Sequence, residues 1–192
     1  VDGTSDAGPA IQGCWTTYGQ IRIPAGTFIT NQSLVPPIVA NVALAGAGAG
    51  VTTLRLGTNV DQALIRSTNV YSQIDTNTST NIVDGIEISD ITLDGNRAAQ
   101  AGTNPAQSDV LALYGKRIKL HDLELRNGTS ACLRTGGNNA SGGGVGTIGG
   151  SLFQNISIGT CGREAVYFAG PPDTIIENLG AYDASQSAAN TY

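Results

Sequence analysis

The chain has 192 residues, 40% apolar and 13% charged, with 26 Gly, no Met, and Lys116 and Lys119 as its lysines. That usage fits one domain and excludes a helix bundle or coiled coil. The net charge of -5 leaves no basic surface to neutralise a phosphate backbone or an anionic membrane, and no apolar run approaches the roughly 18 residues of a membrane span, so neither nucleic acid nor membrane is an expected partner.

The chain opens on neither Met nor a basic-then-apolar leader, so it is expected to start after processing or inside a longer product. Asp6 reads as the N-cap of a short helix, with Pro9 near its start and an apolar stripe of Ala10, Ile11, Cys14 and Trp15, suited to covering an open end. Residues 1–20 are thus read as a cap and 21–192 as coils of one domain, with the first strands in Gly19 to Ile29 and Val42 to Leu56. The Gly46-Ala-Gly-Ala-Gly50 run lies between strand-like runs, opens no helix and has no acid placed for a ribose, so it reads as a tight turn and implies no cofactor. Cys14, Cys132 and Cys161 form no C-x-x-C pair and are odd in number, which argues against a closed disulfide framework or a metal site; they read as buried small hydrophobes.

Four segments then follow one template: residues 88–94, 120–126, 153–159 and 176–182 each give an apolar residue, a polar one, an Asp or Asn, then strict alternation. The Asp/Asn positions Asp90, Asp122, Asn155 and Asn178 are 32, 33 and 23 residues apart, a spacing that varies by whole loops. A second echo sets Gly128-Thr-Ser-Ala-Cys-Leu133 one coil below Gly162-Arg-Glu-Ala-Val-Tyr167. Short alternating strands cannot each bury a face alone, and stacking successive coils into a parallel β-helix buries them together. The inward ladders expected are Ile91/Leu123/Ile156/Leu179 and Leu93/Leu125/Ile158/Ala181. Residues 136–150, glycine-rich and uncharged, read as a surface loop.

The same alternation puts Thr92, Asp94, Glu124, Arg126, Ser157 and Tyr182 on one outer face. Asp94 and Glu124, one strand apart and two residues along, should have Cα atoms about 8 Å apart, within the roughly 6.5–9.5 Å that separates the carboxyl groups of an inverting glycosidase. Arg126 beside Asp94 would hold that acid ionised and spoil it as a proton donor. The stripe therefore reads as a candidate sugar-binding face or an ordinary solvated one, and Arg163, Glu164 and Tyr167 form a second candidate patch on the adjoining sheet. His121, beside Asp122 in an alternating run, reads as structural, since no second group of a catalytic triad accompanies it.

The ordered set Asp2-Gly-Thr-Ser-Asp-Ala-Gly-Pro-Ala-Ile-Gln12, Ile23-Pro-Ala-Gly-Thr-Phe28, Leu44-Ala-Gly-Ala-Gly-Ala-Gly50 with Thr53-Leu54, and Ile91-Thr-Leu-Asp-Gly-Asn-Arg97 resembles the pectate-lyase-like β-helix superfamily, in particular phage tailspike domains and mannuronan C5-epimerase modules. The resemblance implies an all-β fold, a single-stranded right-handed parallel β-helix (solenoid) with the short N-terminal helix as its cap. Where the epimerases carry Tyr-Gly-Phe-Asp-Pro-His, this chain reads Ala131-Cys-Leu-Arg-Thr-Gly136, so the epimerase and lyase motif is not present in this segment. Arg117-Ile-Lys119 matches a short polygalacturonase motif in the wrong order and carries nothing over.

The leading expectation is recognition of a cell-surface polysaccharide by the β-helical domain of a phage tailspike or virion appendage, extracellular or on the virion surface. The alternatives are a secreted polysaccharide lyase, hydrolase or epimerase whose catalytic residues lie elsewhere, and a structural spacer of a virion or surface layer. The acidic balance favours a neutral or mixed-charge glycan. The sequons at Asn31, Asn77, Asn127, Asn139 and Asn155 matter only in a eukaryotic secretory route. Residues 184–192 offer neither an amphipathic helix nor a charged edge, so the polypeptide is expected to continue past Tyr192, or another chain, as in a homotrimer, to cover that end.

Overall fold

The structure, a computed structural model, describes residues 4–68, 70, 71, 83–102, 107–136, 150–169 and 174–183. Most of the glycine-rich 136–150 segment, the 184–192 stretch and the sequons at Asn77 and Asn139 lie outside these residues.

Among the described residues lie the helix α1 (Gly8–Tyr18), a short 3-10 turn (Arg97–Ala99), and strands β1 (Gln20–Arg22), β2 (Gly26–Thr30), β3 (Ala43–Ala45), β4 (Thr52–Leu56), β5 (Ile65–Arg66), β6 (Val83–Asp84), β7 (Glu87–Asp94), β8 (Leu111–Lys116), β9 (Lys119–Arg126), β10 (Leu133–Gly136), β11 (Ser151–Gly159), β12 (Val166–Ala169) and β13 (Thr174–Tyr182). All pairing between these strands is parallel. One sheet runs β1-β3-β7-β9-β11-β13, with β2 and β4 joined to β7, and a second runs β12-β10-β8-β5 with β6 beside β8. From β7 onward the chain alternates strictly between the two sheets, as all-parallel pairing requires of a chain that must return to the same edge each time.

The template positions explain the long strands. Asp90, Asp122, Asn155 and Asn178 all have φ between 52° and 56° and take no partner in the pairing register. This left-handed conformation is one that Asp and Asn tolerate better than other side-chain-bearing residues. It resets the alternation, so that Ile88, Ile91 and Leu93 all point inward from β7 and are buried. Asn178 Nδ2 donates to Asn155 Oδ1 at 2.9 Å and Asn155 Nδ2 to Asp122 Oδ1 at 3.0 Å. Two carboxylates cannot continue the series, and Asp90 accepts instead from Ser89 Oγ.

The expected ladders form in register: Ile91, Leu123, Ile156 and Leu179 share one row, and Leu93, Leu125, Ile158 and Ala181 the next. A third row, Leu44-Ile88-Leu120-Phe153-Ile176, was not read from the sequence. Its first four members are fully buried, whereas Ile176 is 45% exposed.

Three expectations need correction. Helix α1 is capped at Ala7, not Asp6; the Asp6 carboxylate instead accepts from the Gly8 and Asn31 amides. Its apolar stripe is narrow, because Trp15 alone is driven into the core while Ile11 packs partly and Ala10 and Cys14 face solvent. Cys132 and Cys161 form a disulfide with Cα atoms 5.5 Å apart, leaving Cys14 free. The second echo is slipped by one: Leu133 pairs with Val166 and Arg134 with Tyr167, which swaps the residues assigned to the two faces. The Gly46–Gly50 turn does lie between β3 and β4. A side chain on Gly46 would collide with the Asp90 carbonyl, and Gly50 N donates to Thr92 Oγ1 at 2.8 Å.

Candidate functional site on the outer sheet faces

The candidate stripe falls in two rows across the first sheet, Arg55-Asp94-Arg126-Gly159-Tyr182 and Thr92-Glu124-Ser157-Gly180. Asp94 is therefore flanked by an arginine on each side. Arg55 Nη2 and Arg126 Nε reach Asp94 Oδ2 at 3.3 and 3.2 Å, while Asn96 N and Asn127 Nδ2 each donate to Oδ1 at 2.9 Å. The residue is 0% exposed, which corrects its expected place on an open face: it points away from the core, but two guanidinium stems and the 94–96 turn cover it. Thr92 is likewise buried and donates to Glu124 Oε2 at 2.8 Å, with Arg126 Nη1 on Glu124 Oε1 at 3.2 Å. With Arg126 bridging both acids, this is a clamped network in which Asp94 has no lone pair left for a substrate proton. Tyr182, 49% exposed, lies across Gly159, where any side chain would meet its ring.

The second patch is not assembled as expected. Arg163 pairs with Glu164 at 4.0 Å, whereas Tyr167 turns to Arg134, whose guanidinium carbon lies 4.5 Å from the Tyr167 ring centre and 5.7 Å from that of Tyr71. The slipped echo is the cause, since the true register sets Arg66, Ala112, Arg134 and Tyr167 in one outward row. Arg134 Nε donates to Asp109 Oδ2 at 2.6 Å and Ala131 N to Asp109 Oδ1 at 2.9 Å, and Tyr71 Oη lies 3.0 Å from Oδ2 and 2.7 Å from the Gln107 carbonyl oxygen. Burial raises the Asp109 carboxyl above its ordinary value although Arg134, Tyr71 and the Ala131 amide pull it down. Burial first, then Asp109, pushes the Tyr71 phenol up as well, so it stays neutral and hydrogen-bonding. Tyr71, Asp109 and Arg134 were missed as a group because they lie in three separate loops and strands; the 33-residue spacing already visible in the first sheet is the signal that would have set Arg134 beside Tyr167.

His121 lies between two carboxylates, with Nδ1 2.8 Å from Asp122 Oδ2 and Nε2 3.4 Å from Glu87 Oε1. Burial pulls its pKa down, but the hydrogen bonds to Asp122 and Glu87 outweigh it, and the net direction is up. Glu87 also borders a groove of about 230 Å3 on the outer face of the first sheet, floored by Ala43 and walled by Gln20, Asn41, Glu87, Arg117 and Lys119. The groove exists because Ala43 separates Gln20 and Glu87 in one row across β1, β3 and β7. Among the described residues no cluster of His, Cys, Asp or Glu could hold a metal ion, and no helix is long and apolar enough to cross a membrane.

No family model and no curated protein matches the chain by sequence. Solved structures do match in fold. The chain is similar to the pre-mature bacteriophage phi29 gene product 12, at TM-score 0.66 and 20% identity over 87% of this chain and 22% of that one. It is also similar to the A-module of the Azotobacter vinelandii mannuronan C-5 epimerase AlgE4, at TM-score 0.67 and 20% identity over 95% of this chain and 48% of that one. The chain thus spans less than half the length of either, and at this identity the likeness is one of fold: parallel sheets of short strands with one helix.

Proposed function

We propose that the chain is a polysaccharide-recognition domain, a single-stranded right-handed parallel β-helix over residues 1–192 with α1 closing its N-terminal end. In this reading it belongs to a phage tailspike or other virion appendage exposed to the extracellular medium. The observation that carries the reading is the mixed-charge groove over Ala43. Amides and carboxylates offer paired hydrogen-bonding atoms that suit neighbouring hydroxyls of a sugar ring, and Gln20, Asn41 and Glu87 supply them beside the cations of Arg117 and Lys119. Alternation of the chain between two parallel sheets supports the β-helix. Likeness to a bacteriophage gene product and to a mannuronan epimerase module supports the setting and the ligand class. The Cys132–Cys161 disulfide supports an oxidising, extracellular location. A homotrimer, or another chain over the exposed Ile175 and Ile176 of β13, belongs to the same proposal, as do Glu124, Arg126, Tyr182, Arg163, Glu164 and Tyr167 as outlying sugar contacts.

The test is binding to an array of cell-surface polysaccharides, with the masses of bound glycans measured afterwards. Binding that falls at least tenfold in Glu87→Ala and Asn41→Ala, with glycan length unchanged, is the expected result. Shortened or isomerised glycan would favour a catalytic domain, and absence of binding to any polysaccharide would favour a structural spacer.

A further inference from the structure

Arg66 and Arg134 stand on either side of Ala112 in one outward row of the second sheet, about 9.6 Å apart as next-nearest strands. Their charges are treated differently. Arg134 is neutralised by two hydrogen bonds to Asp109. Arg66 makes no ion pair among the described residues, and its Nε is buried without a hydrogen-bond partner. A guanidinium nitrogen removed from water and left unpaired is costly and calls for a partner on the remaining, cleft-facing part of the group. Among the described residues no anion competes for it: Asp109 is committed to Arg134, and the Tyr71 hydroxyl lies against Asp109 and the Gln107 carbonyl oxygen. The Arg66 head lines a polar cleft of about 190 Å3 with Gln62, Ala63, Tyr71 and Gln107. Ala112, too small to fill the row, leaves the space between the two arginines to Tyr71 and the cleft.

We propose that this cleft is a second binding site, which takes an oxyanion carried on a hydroxyl-rich sugar: Arg66 faces the acid group, and the Gln62 and Gln107 amides face adjacent hydroxyls. A planar fork of N–H donors matches an oxyanion in two hydrogen bonds, whereas the neutral amides discriminate little between charges but do recognise hydroxyls. The site lies on the second sheet, apart from the groove over Ala43, and it rests on the polysaccharide reading only for the identity of the carrier. It makes the glycan one of mixed character, mainly neutral with isolated acid groups, in keeping with the net charge of -5, which would repel a densely anionic polymer.

The experiment titrates the folded chain with glucuronate, glucose, glucose 6-phosphate and inorganic phosphate, followed by chemical shifts of the Tyr71 and Gln107 signals. The two acidic sugars should bind at least tenfold more tightly than glucose, and inorganic phosphate more weakly than glucose 6-phosphate. Arg66→Gln should abolish the preference for acid, and Gln62→Ala should weaken both acidic sugars severalfold. Equal binding of glucose and glucuronate, equal binding of the two phosphates, or an unchanged preference in Arg66→Gln would overturn the proposal. Polysaccharide binding by the wild type is measured in parallel. Polymer binding with no acid preference defeats this site and leaves the broader reading standing, while acid preference with no polymer binding defeats the broader reading and leaves the cleft as a site for small acidic sugars.

Discussion

Two arginines, one from each neighbouring strand, close over Asp94, so Asp94→Asn leaves both guanidinium groups without their shared anion. Because Arg55 and Arg126 remain partly exposed, water absorbs part of the loss, and the expected cost is about 1–3 kcal/mol, read as a lower urea midpoint with unchanged slope. The direction in which Asp94 points, and Arg126 beside it, were legible from period-two alternation. Alternation gave no view of Arg55, which arrives from β4, 39 residues earlier. A second residue-scale expectation follows from His121. Its pKa is raised in the fold, so its stabilisation is complete below the unfolded value of about 6.5 and is lost as pH rises through the folded value. Asp122 is held below its usual range by His121 first and Asn155 second, so its share is lost on acidification instead. The thermal midpoint of His121→Gln should therefore lie furthest below the wild type just below about pH 6.5, the gap narrowing as pH rises above that value; a gap that stays constant on the alkaline side would contradict the assignment.

At the scale of an element, the Asp/Asn template was legible because one backbone conformation demands it four times. The disulfide was not, and the reason is geometric. Ala165, four residues after Cys161, is the one that would follow the 33-residue offset from Cys132, whereas the disulfide joins Cys132 to Cys161 in the irregular stretch between β11 and β12. Counting cysteines cannot reveal such a pairing. Closing a 29-residue separation restricts the unfolded chain by about 3–4 kcal/mol in the chain-entropy account. Cys132→Ser together with Cys161→Ser should lower the unfolding free energy by that order, and a reductant should lower the wild type to the same denaturant midpoint while leaving the double variant unchanged.

Across the whole molecule, stability should depend on position along the rows. Leu123 is buried with a paired neighbour on each side, in Ile91 and Ile156, so Leu123→Ala should cost about 2–5 kcal/mol. Ile176, the last of its row among the described residues, is 45% exposed, and Ile176→Ala should cost less than half as much; equal losses in denaturant titrations would mean that Ile176 is covered. The all-β class and the register of the two ladders were readable because the same Asp/Asn-centred template recurs four times in the sequence. The second-sheet row of Arg66, Ala112, Arg134 and Tyr167 was not, because β5 has two residues and a strand that short carries no periodicity.

The row of bent positions has a direction as well as a spacing. Asn178 donates to Asn155, and Asn155 donates to Asp122, so both amide dipoles align head to tail and their positive ends point toward a carboxylate. The row is thus a short electrical array terminated by a fixed negative charge, and its order, acids first and amides after, sets the sense in which it can grow. A further asparagine added beyond Asn178 extends the array with every dipole already aligned, whereas an aspartate in that place would present an acceptor to an acceptor and end it.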